Sequence, residues 1–191
     1  MRVALAWIAV LVIALCLPTL AQGVLTLTAT PGSSGEIESS VPKTAAVMDF
    51  ELVDDMRDYE HPEAKDAQLR RIALISDALR RELGQRAIYR VVDHRAAAGL
   101  ISNFKARQEL RDCNGCEIEI GKALAADVII IGWVQKVSNL ILNLNIEVKE
   151  VSSGRVQYAK SVDLRGNTDE SWLRGVHFLV ERMVEDRQHL R

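Results

Sequence analysis

Two cysteines three positions apart, in Cys113-Asn114-Gly115-Cys116, are the residues of this chain best placed to do chemistry. Close-spaced thiols serve as a disulfide staple, as a thiol–disulfide exchange centre, or as half of a metal site. An exchange centre of the thioredoxin type follows a strand directly and opens a helix, whose N-terminus lowers the first thiol's pKa. It also places a cis-proline opposite the pair. Residues 117–126 read as helix, but 105–112 read as helix or loop, and no proline follows Pro62. A metal site needs two further ligands, and beyond His61, His94, His177 and His189 no second close-spaced pair exists. Covalent haem needs His directly after Cys116, where Glu117 stands. The leading reading is therefore a disulfide between Cys113 and Cys116 that closes the turn before a helix. A periplasmic thiol–disulfide redox accessory is the alternative, and neither a metal nor another cofactor is expected.

The remaining constellations are plainer. Asp49, Glu51, Asp54, Asp55 and Asp58 lack the D-x-D-x-D-G order of a calcium loop and read as a solvated acidic loop. Gly115 and Gly121 lack the Lys and Ser/Thr that complete a phosphate-binding loop, and no Gly-x-Ser-x-Gly elbow is present. His94 and His177 fall on expected helices, where packing is the default role. Asn139, Asn143 and Asn145 stand out, because Asn is depleted in strands, where its short amide competes for backbone hydrogen bonds. They mark either an open, solvated sheet face or a polar recognition surface. The recognition surface would comprise Trp133, Gln135, Asn139, Asn143, Asn145 and Glu147, with Lys149 beside them. Side-chain amides both donate and accept, which suits contact with a protein or glycan.

The elements that must position these residues follow from hydrophobic periodicity. Residues 44–52 read as a mostly buried strand, and 64–83 as a helix whose stripe includes Leu69, Ile72, Leu79 and Leu83, with Gly84 as its stop. A strand at 88–92 leads to Asp93, which caps a helix from 94 to about 110. Residues 128–134 form a continuous apolar run, as in a strand covered on both faces. Leu140, Leu142, Leu144, Ile146 and Val148 then alternate with the polar row, a half-buried strand. Ser152-Ser153-Gly154 turns the chain into a partner strand through Leu164, and Asn167 caps a final helix bearing Trp172, Val176, Leu179 and Met183. The expected fold is α/β (α+β), in the order β-α-β-α-α-β-β-β-α. Its sheet is mixed, of about five strands, with helices mainly on one face.

The first residues define an export signal. Met1-Arg2 is a short positive start, residues 3–17 are apolar, Pro18 breaks the run, and Thr19-Leu20-Ala21 carries small residues where a signal peptidase cuts. The run is shorter than the roughly 20 residues of a spanning helix, so no membrane span is expected after cleavage. Leu15 before Cys16 argues against lipid attachment. The organisation expected is a signal peptide at 1–21, a flexible Thr/Ser/Gly/Pro-rich lead-in at 22–43, and a single domain at 44–191. A formal charge of −2 supplies no basic field for nucleic acid.

The phrases Leu124-Ala125-Ala126-Asp127, Gly132-Trp133-Val134 and Val151-Ser152-Ser153-Gly154, in this order of elements, resemble the small α/β domain of the TolB amino-terminal region and the curli-secretion lipoproteins. The resemblance runs from residue 44 to 164. Together with Cys113-Asn114-Gly115-Cys116, the string from Gly132 to Asn143 and the string from Arg165 to Trp172 resemble an uncharacterised family of secreted proteobacterial proteins. Members of that family are often encoded near periplasmic quinoprotein alcohol dehydrogenases. The resemblance implies a periplasmic, non-catalytic binding or accessory module that acts through contacts with an envelope or periplasmic protein, in support of an oxidation system.

Overall fold

A computed structural model describes residues 41–54 and 59–189. The signal peptide, most of the lead-in, Asp55 and Asp58 lie outside the described residues. The sheet is mixed. Strands β1 (Thr44–Val47), β2 (Glu51–Asp54), β3 (Arg90–Val92), β4 (Val128–Lys136), β5 (Ile141–Glu150) and β6 (Val156–Arg165) are arranged in the order β3-β1-β4-β5-β6, with β2 also paired to β4. The pairings of β1 with β3, and of β1 and β2 with β4, are parallel, and the β4-β5-β6 meander is antiparallel. Crossover units in the first half and hairpins in the second are what the sequence pattern implied.

The expected first strand is two strands on the same side of β4. Between them Met48 N–H still bonds Ile130 O at 2.9 Å, and Phe50 N–H turns to Ser76 Oγ at 2.9 Å. Phe50 covers Gly132, where a Cβ would overlap its ring. The break therefore has a physical cause: the chain leaves the ladder to seat an aromatic ring on β4. Helix α1 (Pro62–Gln85) supplies Ser76, and it buries Gln68, Ser76, Ile75, Leu79 and Leu83, while Leu69 faces solvent. The helix passes through Gly84, and the left-handed residue that follows it is Ala87, at φ 51°.

The expected helix from residue 94 is a 3-10 turn, His94–Ala97, then α2 (Ala98–Lys105), with a second 3-10 turn at Leu110–Asp112. Asp93 caps the first turn as expected, its carboxylate accepting from Arg95 N–H. Helix α3 (Cys116–Ala123) precedes β4, and α4 (Asp169–His189) closes the chain. The start of α4 is held by reciprocal bonds between Thr168 and Ser171, and Asn167 instead accepts from Trp172 Nε1 at 3.0 Å.

Two hydrophobic layers sandwich the sheet. The long helices α1 and α4 pack Ile75, Leu79, Trp172, Val176 and Leu179 against Val128, Ile130, Leu142, Leu144 and Ile146 on one face. On the other face a smaller layer from the segment 97–124 covers Ala46, Met48, Ile129 and Ile131 and reaches Glu51 and Lys149. The rest of that second face is open.

Candidate functional site

The two cysteines sit in the smaller layer. Cys113 follows the Leu110–Asp112 turn, and Cys116 is the first residue of α3. Gly115, at φ 108°, makes the left-handed step between them that a side chain would resist. The Cα atoms are 5.8 Å apart and the sulfurs lie within bonding distance. Both residues are buried, Cys113 8 % and Cys116 4 % exposed, among Leu110, Ile120 and Ile129. Beside them the Glu117 carboxylate is also buried. It accepts from Gly115 N–H at 3.1 Å and from Lys149 Nζ at 2.9 Å, and it lies within 4.8 Å of both sulfurs. Gln108 Nε2 approaches Cys113 Sγ at 2.8 Å. A 3-10 turn, not a strand, precedes the pair, and the burial keeps both sulfurs from a partner's thiol.

Along β4 the residues that follow Ile129 and Ile131 on this face are Trp133 and Gln135. The antiparallel register places Asn145 beside Trp133, Asn143 beside Gln135 and Glu147 beside Ile131, and β6 adds Ser161 and Asp163 to the same rows. Five of the six residues expected to form a recognition surface are thereby gathered where the helical layer stops. Trp133, Asn143, Asn145 and Glu147 are partly exposed and Gln135 is exposed. Asn143 Nδ2 donates to Asp163 Oδ1 at 2.5 Å, and Asn145 Nδ2 donates to Asn143 O at 3.2 Å. Lys149 lies 3.6 Å from Glu147, which joins the open face to the cysteine layer.

Asn139 is the exception. Strand β5 begins at Ile141, and residues 137–140 form the bend before it. Asn139 Oδ1 there accepts from Asn167 Nδ2 at 3.2 Å, and Leu140 is 76 % exposed instead of buried. The alternation that Asn139 and Leu140 extend in sequence stops two residues short in space, because the chain must bend to return from β4.

Of the acidic residues expected in a solvated loop, the described ones, Asp49, Glu51 and Asp54, are each paired with a cation. Asp49 pairs with Arg80, whose guanidinium outweighs the effect of burial and holds the carboxyl below its ordinary range. Glu51 is buried, and its Oε1 accepts Leu110 N–H at 2.7 Å while Oε2 pairs with Arg111 at 3.2 Å. Burial is the largest influence on Glu51 and raises its pKa. Asp54 lies 3.0 Å from Lys136 Nζ, which also pairs with Glu60. Each carboxylate fastens one segment to another, and neither charge counts nor spacing disclosed the partners.

His94 lies 3.9 Å from Asp49, and burial lowers its pKa. His177 pairs with Glu82 and Glu181, at 3.3 Å each. Among the described residues neither of these two histidines hydrogen-bonds a hydroxyl or a thiol. No helix among those residues is long and apolar enough to cross a membrane.

Comparison with solved structures gives distant likenesses. The LpoB C-terminal domain from Escherichia coli matches at 13 % identity and TM-score 0.44, covering 69 % of this chain and 88 % of that one. The PelC dodecamer from Paraburkholderia phytofirmans matches at 13 % identity and TM-score 0.42, covering 71 % of this chain and 81 % of that one. Lipoprotein GNA1162 from Neisseria meningitidis matches at 14 % identity and TM-score 0.41, covering 77 % of this chain and 97 % of that one. No curated protein matches. A family model does match over residues 43–184, which takes in every described strand and the first three quarters of α4. The chain belongs to the DUF3280 family, "Protein of unknown function (DUF2380)".

Proposed function

We propose that this protein is a non-catalytic accessory module of the periplasm that binds a partner protein through the open face of β4 and β5. The observation that carries this reading is Trp133. An aromatic side chain stands partly exposed at the border of the helical layer, in one row with Asn145 and beside a row formed by Gln135 and Asn143. Aromatic anchors ringed by polar groups that donate and accept are the usual composition of energetically dominant interface sites. The export signal supports the periplasmic placement, and Cys113–Cys116 is then a structural bond of that compartment. Support of a periplasmic oxidation system follows from the family resemblance alone.

Site-specific photocrosslinking in the native host tests the reading. A photoreactive residue at Gln135 should trap one protein species, and Trp133→Ala should abolish the adduct while the exported protein level stays unchanged. A Gln135 probe that traps nothing beyond a probe placed at Lys65 on α1 would sink the proposal. The thiol-accessory reading makes the opposite demand: loss of Cys113 and Cys116 would remove function with the adduct intact.

A further inference from the structure

Strand β6 ends the sheet, and no described residue pairs with its outer side. Alternate residues of this ten-residue edge therefore point unpaired N–H and C=O groups outward. Beside that edge runs a groove of about 560 Å³ between β6 and α4. Its helical wall is Ser171, Arg174, Gly175 and Phe178, a single stripe at helical spacing. The strand wall includes Val162 and Leu164. Gly175 sets the depth, since a Cβ there would overlap the Leu164 side chain. Phe178 is 43 % exposed at the rim, with the Arg182 guanidinium 4.9 Å from its ring centre.

The charges of the groove are unbalanced. Arg165 and Arg174 face a single lining carboxylate, Asp163, which is already engaged by Asn143. Arg174 reaches Glu170 at 3.2 Å on the exposed side of the helix, whereas Arg165 has no ion-pair partner among the described residues. Past Arg165 the surface continues to Leu140 and Ile141, 76 % and 58 % exposed. An unpaired strand edge, an apolar floor beside it and free positive charge at one end specify an extended chain with a carboxylate.

We propose that this edge takes an extended acidic segment of a partner protein as an added strand on β6. Every second side chain enters the groove against Val162, Leu164 and Phe178, and carboxylates at the acidic end reach Arg174 on the helical side of the edge and Arg165 on the other. The proposal stands apart from the open-face reading, because it uses the sheet edge and none of Trp133, Gln135, Asn143, Asn145 or Glu147.

The probe is a fluorescein-labelled peptide, Thr-Val-Thr-Val-Thr-Leu-Asp with a free C-terminus, titrated into the folded protein by fluorescence anisotropy. Saturable binding is expected, with slowed amide exchange confined to residues 156–165. Arg165→Glu should weaken binding at least tenfold, about 1.4 kcal/mol, and so should Phe178→Ala. Both sites are on the surface, and circular dichroism checks that both variants remain folded. A peptide N-methylated at the alternate set of amides that faces β6 should not bind. Absence of saturable binding, or equal binding by an amidated peptide ending in Lys, overturns the proposal. A concentration-dependent dimer with residues 156–165 already protected without peptide also overturns it, in favour of a second copy of this chain at the edge.

Discussion

The ring of Phe50 occupies the space that a side chain at Gly132 would need, and this contact divides the first strand into β1 and β2. The glycine of Gly132-Trp133-Val134 is thus a packing requirement. Gly132→Ala should lower stability by about 1–3 kcal/mol, the usual range for overpacking a core, as read by urea denaturation. An unchanged midpoint would show that Phe50 can leave its seat freely.

The starts of β1 and β4 are fastened by Thr44 and Asp127. Thr44 N–H and Oγ1 donate to the Asp127 carboxylate at 2.7 and 2.8 Å, and Asp127 N–H donates back to Thr44 Oγ1 at 2.8 Å. These bonds, the backbone donor first, hold the Asp127 carboxyl below the ordinary aspartate range. A depressed folded pKa contributes stability above the unfolded value, and that contribution is lost as pH falls through the folded one. Asp127→Asn should therefore destabilise at pH 7 and converge with the wild type in acid, as pH falls below the ordinary aspartate range and through the depressed folded pKa. Parallel melting curves that never converge would refute the assignment.

Glu51 works in the opposite sense. Its carboxyl is raised above 4.5 by burial, so the folded state binds its proton more readily than the unfolded state. Its contribution improves as pH falls through the raised folded pKa towards 4.5. Glu51→Gln keeps an acceptor for Leu110 N–H and should flatten that rise. The measurement is melting temperature between pH 8 and pH 4, wild type against variant. An identical slope in both would mean that Glu51 is not the group responsible.

Cys113 and Cys116 close so small a ring that their bond restrains little of the unfolded chain. Replacing both with Ser should cost about 2 kcal/mol or less and preserve the fold. Because both sulfurs are buried, mild reductant should free no thiol until the protein unfolds. Ready reduction of the native protein, or loss of fold in the double variant, would contradict a local staple.

Asn143→Thr with Asn145→Thr tests the open face. Thr suits a strand better than Asn, and exposed substitutions shift stability by within about 0.5 kcal/mol. The melting temperature should hold while the Gln135 photocrosslink weakens. A full-strength crosslink would reduce these amides to solvated surface.

What the chain determined by itself is the local part of this structure. Leu142, Leu144, Ile146 and Val148 alternate with Asn143, Asn145 and Glu147, and a strand's period of two sends these sets to opposite faces whatever lies around them. The meander and the helical stripe on Trp172, Val176 and Leu179 follow from the same kind of periodicity. Only the tertiary structure decided where that periodicity stops, leaving Asn139 and Leu140 in a bend and Leu69 facing solvent. It also chose the partners of the charges: Glu51 meets Arg111 and Lys136 meets Asp54 across 60 and 82 positions of sequence. The groove beside β6 likewise joins two elements that carry no shared local signal. Periodicity is a property of backbone geometry and is written in neighbouring residues. Ion pairs, strand breaks and edges depend on strand order, which brings distant residues together only after the sheet is assembled.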